Sequence, residues 1–305
     1  MENSGVDNLR GAVMMVASMF GFAVEDALIK SLSGTVPPGQ IVSTMGLGGV
    51  ILFALWLRFQ GKPAFVADQR RSRVILRSGF EAFGTAFFIS SLALVELTLV
   101  SAVIQATPLV VAMGAALFLG QPVGWRRWLA IFVGFSGILF IVKPGVATFD
   151  PLVLLAVVGM VALAGRDLVT RSLNSPISGP HLSIAAFAGL VPTGLVLCWV
   201  WGQSLVLPTA LEWGVLALCV IVGMTAYLAI IAATRIGDAA FISSFRYSRM
   251  LFALVLGALF FAEAPDLYTL IGVTIVIGAG LFTLLREARL KRRAARTSQA
   301  AAKAL

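Results

Sequence analysis

Two stretches decide the fold: Phe22-Ala-Val-Glu-Asp26-Ala-Leu-Ile-Lys30-Ser-Leu32 and Leu163-Ala-Gly-Arg-Asp167-Leu-Val-Thr-Arg171-Ser-Leu173. Laid over each other at an offset of 141 residues, Asp26 meets Asp167, Lys30 meets Arg171, and Ser-Leu follows in both. A second match sits at an offset of 142, where Ala116-Leu-Phe118 meets Ala258-Leu-Phe260 and Gln121 falls opposite Glu263. Two matches at nearly one offset read as an internal repeat. The first unit then covers 11–143 and the second 151–286, followed by a basic cytoplasmic tail at 287–305.

What surrounds the repeat is apolar. Of 305 residues, 59% are hydrophobic and 12% charged, and the mean hydropathy is +0.97. Such a composition cannot cover a water-facing surface, which excludes a soluble enzyme and a disordered chain. A helix needs about 20 apolar residues to cross a bilayer. Ten such runs are legible, at 11–32, 40–58, 74–94, 99–120, 126–143, 151–172, 182–201, 212–233, 240–261 and 267–286. They are apolar all round, unlike the alternating strands of a barrel. The predicted fold is an all-α integral membrane protein of ten transmembrane helices. Five crossings per unit is an odd number, so the two repeats lie inverted, as in many secondary transporters. The first run is too long for a cleaved leader, and Glu25, Asp26 and Lys30 stand where a cleavage site would be.

Basic residues set the orientation. With the N-terminus inside, eighteen Lys and Arg fall on cytoplasmic segments and two, Lys30 and Lys143, on outer ends. Both termini are therefore expected in the cytoplasm, with the chain in the cell inner membrane. The same split accounts for the net charge of +9 without a nucleic-acid partner. The tail after 286 reads as an anchor to anionic lipid. Tryptophans 56, 125 and 128 at inner ends, and 199, 201 and 213 at outer ends, fit interfacial belts.

Three motifs stand in the first half: Leu119-Gly-Gln-Pro-Val-Gly-Trp-Arg-Arg-Trp128, Val133-Gly-Phe-Ser-Gly137 and Lys143-Pro-Gly145. Phe261-Ala-Glu263 with Gly272 and Gly278 are their counterparts in the second half, and Pro108 stands in the fourth run. On these residues the chain resembles the drug/metabolite transporter superfamily in its EamA-type branch, with Pro108 matching the family's fourth-span proline. Two departures stand out: Gln121 where the family usually has Glu, and Met250 where the second half would repeat the proline. The resemblance implies a ten-helix inverted-repeat bundle. Its central cavity opens to one side at a time and carries small organic metabolites such as amino acids, S-adenosylmethionine, riboflavin, purines, nucleotide sugars or sugar phosphates. The run Phe245-Arg-Tyr-Ser-Arg-Met-Leu-Phe252 with Gly165-Arg-Asp167 is similar to riboflavin-importer-like bacterial members.

Ionisable residues inside spans carry the site prediction. A charge at mid-membrane costs about 2.5–3.5 kcal/mol even on lenient scales, so it needs a partner, water or a task. Arg246 and Arg249 lie on one helix face at i,i+3 spacing, with Tyr247 on a neighbouring face. Two forked donors suit a carboxylate, a phosphate or a flat conjugated ring. The expected substrate-binding set is Arg246, Arg249, Tyr247, Gln105 and Glu81. The bland alternative makes the arginines structural, with Glu81 as the partner of Arg246. Glu25, Asp26, Arg166 and Asp167 form the expected coupling or gating set. Asp26/Lys30 and Asp167/Arg171 read either as i,i+4 helix-end locks or, with Glu25, as a proton site. Glu25 and Arg166 are repeat mates of opposite sign, so a contact between them is compatible with the repeat. Pro108 is expected to kink the fourth span beside Gln105 and Thr107, and Glu263 to fix the turn into the tenth.

No Gly-x4-Gly-Lys-Ser/Thr loop is present, so transport is expected to run downhill or on an ion gradient, with a proton as coupling ion. One histidine, His181, and two cysteines, Cys198 and Cys219, give no basis for a metal site, a cofactor or a membrane-embedded enzyme. That enzyme, and a non-transporting scaffold, are the rival classes. A small-molecule substrate and the lipid bilayer are the expected partners, with a homodimer left open. A riboflavin-like aromatic metabolite is the first substrate reading and an amino acid the second.

Overall fold

The computed structural model describes residues 3–121, 124–145, 149–173, 177–236 and 239–303. Among the described residues twelve α-helices follow one another: α1 Asn3–Leu32, α2 Pro38–Phe59, α3 Ser72–Leu94, α4 Leu97–Ile104, α5 Thr107–Phe118, α6 Trp125–Val142, α7 Val153–Arg171, α8 Gly179–Val200, α9 Ala210–Ile236, α10 Ala239–Ser244, α11 Ser248–Phe261 and α12 Leu267–Lys303. Nine segments among the described residues are long and apolar enough to cross a membrane, α4–α5 and α10–α11 each counting as one. Helix α3 has the length, at 23 residues, but carries Arg73, Arg77 and Glu81. Apolar side chains crowd the outside, among them Phe118, Trp125, Phe132, Trp199, Leu207 and Phe260. A surface of this kind belongs against acyl chains.

Two expected boundaries change. The span read as continuous over 99–120 breaks at Gln105–Ala106, and the one over 240–261 winds through a tight 3-10 turn at Phe245–Tyr247. Pro108 explains the first break. It has no N–H to give to Ile104 and crowds that carbonyl, so α5 starts afresh with the proline in its first turn. The tail is continuous with α12, whose backbone is helical to Lys303.

Packing follows a pattern of exchange. Helix α1 lies on α9, and α3 lies on α7, while α2 pairs with α8 and α6 with α12. Under the 142-residue offset α1 and α7 are mates, as are α3 and α9, α2 and α8, and α6 and α12. Glycines let these pairs approach backbone to backbone. A Cβ on Gly137 would meet the Gly272 carbonyl oxygen at 2.8 Å, and one on Gly272 the Gly137 oxygen at 2.6 Å. Gly39 of α2 and Gly194 of α8 block each other's carbonyls in the same way. Gly46, Gly48 and Gly49 also pack tightly, whereas Gly278 faces open space.

Candidate functional site

The breaks at 105–106 and 245–247 occupy equivalent places in the two halves, since Gln105 and Tyr247 are related by the offset. They also touch: the Gln105 side-chain amide donates to the Arg246 carbonyl at 3.4 Å. The last turns of α4 and α10 and the first turns of α5 and α11 therefore gather at one depth in the bundle. Broken helices of this kind bring backbone dipoles to mid-membrane, where an anionic group can use their N-terminal ends.

The charged side chains around this junction are sorted by their partners. Arg249 is taken by Asp26 of α1, with Nη2 at 2.8 Å and 2.6 Å from the two carboxylate oxygens and Nε at 3.1 Å. The rings of Phe22 and Phe88 flank its guanidinium, 5.3 Å and 5.7 Å away. Arg166 donates to Glu81 at 2.7 Å and to Asp167 at 2.8 Å and 2.9 Å. Glu81 also holds Arg77 at 3.0 Å. Tyr247 is buried, and its ring and hydroxyl lie over Gly280 of α12, where a Cβ has no room.

Arg246 stands apart. Its residue is exposed, although Gln105, just past the end of α4, lies against its backbone and the charges of Asp167, Arg166 and Arg249 act on it. Among the described residues no carboxylate reaches within 4 Å of its guanidinium. Glu25 is the opposite case. Its carboxylate sits over Gly223 of α9, with Asp26, Arg249 and Cys219 as charged or titratable neighbours, and no hydrogen bond to a described residue is found.

Several expected pairings are corrected by this geometry. Glu81 is the partner of Arg166 and Arg77, not of Arg246. Glu25 and Arg166 do not meet, because Arg166 is fully engaged by Glu81 and Asp167. Neither i,i+4 lock is found among the described residues. Asp26 turns to Arg249, and Lys30 turns to the Val95 carbonyl and to Glu263, 3.5 Å away. A bidentate guanidinium–carboxylate pair outweighs an intrahelical lysine contact of a few tenths of a kcal/mol.

Sequence reading missed the job of Glu263. Its carboxylate, 4% exposed, leaves its own turn to accept the Leu97 and Thr98 backbone N–H groups at 2.7 Å and 2.9 Å. It thereby caps α4 from 165 residues away. Beside it, Asp266 holds Lys143 and accepts from the Thr269 N–H at 2.9 Å. At the same end Glu96 is exposed, and its carboxyl is held above the usual range by partial burial and then by the nearby Glu263 charge. An apolar groove of about 820 Å³ lies between α3 and α8, lined by Phe83, Ala185 and Gly189 among others. None of the charged junction residues borders it.

A multi-pass helical membrane bundle with broken helices meeting at a charged junction has the build of a membrane transporter. The comparisons place it more closely: the family model described as the EamA-like transporter family matches residues 9–143 and again 151–285, and the chain belongs to that family. It is 26% identical to a riboflavin transporter of Rhizobium johnstonii, over 93% of this chain and 94% of that one. It is 26% identical to the pseudopaline exporter CntI of Pseudomonas aeruginosa, over 88% and 94%. With an S-adenosylmethionine uptake transporter of Rickettsia prowazekii the identity is 24%, over 92% and 94%. A crystal structure at 18% identity shares the fold with a TM-score of 0.62, covering 92% of this chain and 98% of that one.

Proposed function

We propose that this chain is a secondary transporter of a small organic metabolite. It works by alternating access of two inverted five-pass halves, with both termini cytoplasmic. The odd number of crossings per half and the exchanged packing of α1 on α9 and α3 on α7 support a twofold relation in the membrane plane. In this reading α3 is the tenth crossing, its Arg77 and Glu81 neutralised within the bundle. The observation that carries the proposal is the meeting of two repeat-equivalent helix breaks at Gln105 and Arg246, where the Arg246 side chain stays exposed and, among the described residues, has no carboxylate within 4 Å.

Arg246 is then the substrate's handle and Gln105 its neighbour. Arg249 and Tyr247 hold the 3-10 turn in place from either side, through Asp26 and Gly280. Glu81, Arg166 and Asp167 form the facing wall. Glu25, lodged against α9 without a hydrogen-bonding partner among the described residues, is the proton-binding group that couples transport to a gradient.

The relatives' substrates make riboflavin and S-adenosylmethionine the first compounds to test. Purified protein in sealed proteoliposomes is expected to accumulate a labelled metabolite, and an Arg246→Gln variant of unchanged melting temperature to lose most of that uptake. Full-rate uptake by the variant would remove Arg246 from the site. A membrane-embedded enzyme or a scaffold would leave the label outside the vesicles.

A further inference from the structure

The groove between α3 and α8 takes no part in the proposed transport, and its residues change character from one end to the other. Its mouth is the 3-10 turn at Ala67–Arg70, just ahead of α3. Farther in lie Ser78, Gly79 and Phe83 on one wall, and Ala185, Gly189 and Thr193 on the other. Small residues hollow the floor: a Cβ on Gly79 would meet no atom within 4 Å. The α8 wall runs from Ile184 to Thr193, a length of about 14 Å along a helix. That is close to the depth of one leaflet, half of a hydrocarbon core of about 30 Å. The groove opens sideways, since Ile75 and Phe83 on its edge are 59% and 48% exposed.

The mouth is built, not loose. Gln69 Nε2 donates to the His181 carbonyl of α8 at 2.9 Å, and Gln69 Oε1 accepts from the Val66 N–H at 2.9 Å. His181 Nε2 lies 2.9 Å from the Pro63 carbonyl oxygen, which can only accept, so that nitrogen carries a proton. These ties hold the turn that brings Arg70 to the groove. Neighbouring arginines are occupied: Arg71 by Asp68 at 2.8 Å, Arg73 by the Ser172 carbonyl at 2.7 Å, and Arg77 by Glu81 at 3.0 Å. Arg70 is exposed, and among the described residues no carboxylate lies within 4 Å of it. Deeper along the wall, Ser78 is 8% exposed, and its hydroxyl has no hydrogen-bond partner among the described residues. A hydroxyl buried between apolar walls is costly unless something accepts its proton.

We infer that this groove holds one anionic phospholipid. Its phosphate meets Arg70, an ester carbonyl accepts from the Ser78 hydroxyl, and an acyl chain lies along Gly79 and Gly189. Guanidinium, hydroxyl and apolar floor follow one another in the order of a phospholipid's phosphate, ester and chain. Free phosphate leaves the apolar length uncovered, and an uncharged chain leaves Arg70 unmet. The inference is independent of the substrate site. In the orientation proposed above, the mouth faces the cytoplasmic leaflet, where anionic lipids attract basic residues.

The test is native mass spectrometry of the detergent-purified full chain, titrated with phosphatidylglycerol or phosphatidylcholine of identical acyl chains. Phosphatidylglycerol is expected to bind about fivefold tighter, the contribution of one arginine near an anionic lipid surface. Arg70→Gln should erase most of that preference, Arg70→Lys should keep it, and Arg73→Gln should leave it unchanged. Gly79→Phe, which fills the groove, should weaken both lipids. Phosphatidylglycerol bearing a diazirine on its acyl chain should label residues 72–83 or 184–193 of the unaltered protein. A preference that survives both Arg70→Gln and Gly79→Phe overturns the inference, as does displacement of the lipid by inorganic phosphate alone. So does a dimer that Gly79→Phe dissociates, which makes the groove a contact between two copies. Where Gly79→Phe fails to fold, the labelling decides: adducts confined to other segments overturn the inference.

Discussion

Arg249 of α11 and Asp26 of α1, 223 residues apart, form a forked pair in which one guanidinium nitrogen contacts both carboxylate oxygens. Asp26 is 2% exposed, so removing either partner strands a charge inside the bundle. Asp26→Asn is expected to destabilise the protein by about 3–5 kcal/mol. The double variant with Arg249→Gln should recover part of that loss. Thermal unfolding in nanodiscs measures both, and equal melting of single and double variants would contradict a coupled pair.

Arg246 has no such partner among the described residues, so its substitution should separate stability from transport. Arg246→Gln is expected to leave the melting temperature within about 2 °C, in line with a site free of structural contacts. Uptake should fall at least about tenfold through KM. A large drop in melting temperature would assign Arg246 a structural role instead.

Glu25 offers a pH test. The titratable and charged groups facing it are Asp26 on its own helix, Arg249 on α11 and Cys219 on α9. If Glu25 carries the coupling proton, Glu25→Gln should flatten the pH dependence of uptake and abolish accumulation against a gradient, while exchange of internal for external substrate persists. A variant that still concentrates substrate when a proton gradient is imposed would exclude it.

The capping of α4 by Glu263 and the close crossing of α6 and α12 give two stability predictions. Glu263→Gln weakens two hydrogen bonds to Leu97 and Thr98 and removes the charge beside Lys30, at a cost of about 1–2 kcal/mol. Gly272→Val places side-chain atoms where the Gly137 carbonyl stands and is expected to cost more, about 3 kcal/mol or above, because backbone cannot yield. Melting curves of both variants in one detergent rank them.

The Lys143–Asp266 contact closes the same end of the bundle. The hydrogen bond from Lys143 holds the Asp266 carboxyl down at about 2, against 3.8 for a free aspartate. A depressed carboxylate stabilises the fold above its unfolded value, and that contribution drains away as the pH falls from 3.8 through about 2. The latch is therefore expected to be indifferent to pH from 5 to 8. Asp266→Asn should lower the melting temperature by the same amount across that range, and a difference that grew toward pH 5 would contradict the assignment.

Nine of the ten expected spans, the two-unit division and the break at Pro108 were legible because each depends on neighbours in sequence: apolar runs, spacing, a missing N–H. The second break was not, since Met250 stands where a proline would have announced it. Charge pairing was the least legible. Asp26 and Lys30 are well spaced to meet on one helix, yet each found a stronger partner on another, Arg249 and Glu263. Such choices are made between helices packed side by side, which spacing along one helix cannot register. Arg246, Gln105 and Asp167 were named from their rarity within apolar runs. Which of them keeps a free valence emerged only when the others had been matched.

The single amide contact from Gln105 to the Arg246 backbone has a pharmacological side. It ties the matching helix breaks of the two repeats to one spot, so, if transport proceeds by the proposed rocking of the halves, a rigid, bulky molecule lodged there is expected to wedge both simultaneously. On that mechanism blockers are best sought by growing outward from that spot, in preference to the greasy furrow along α3 and α8, which none of the charged junction residues borders.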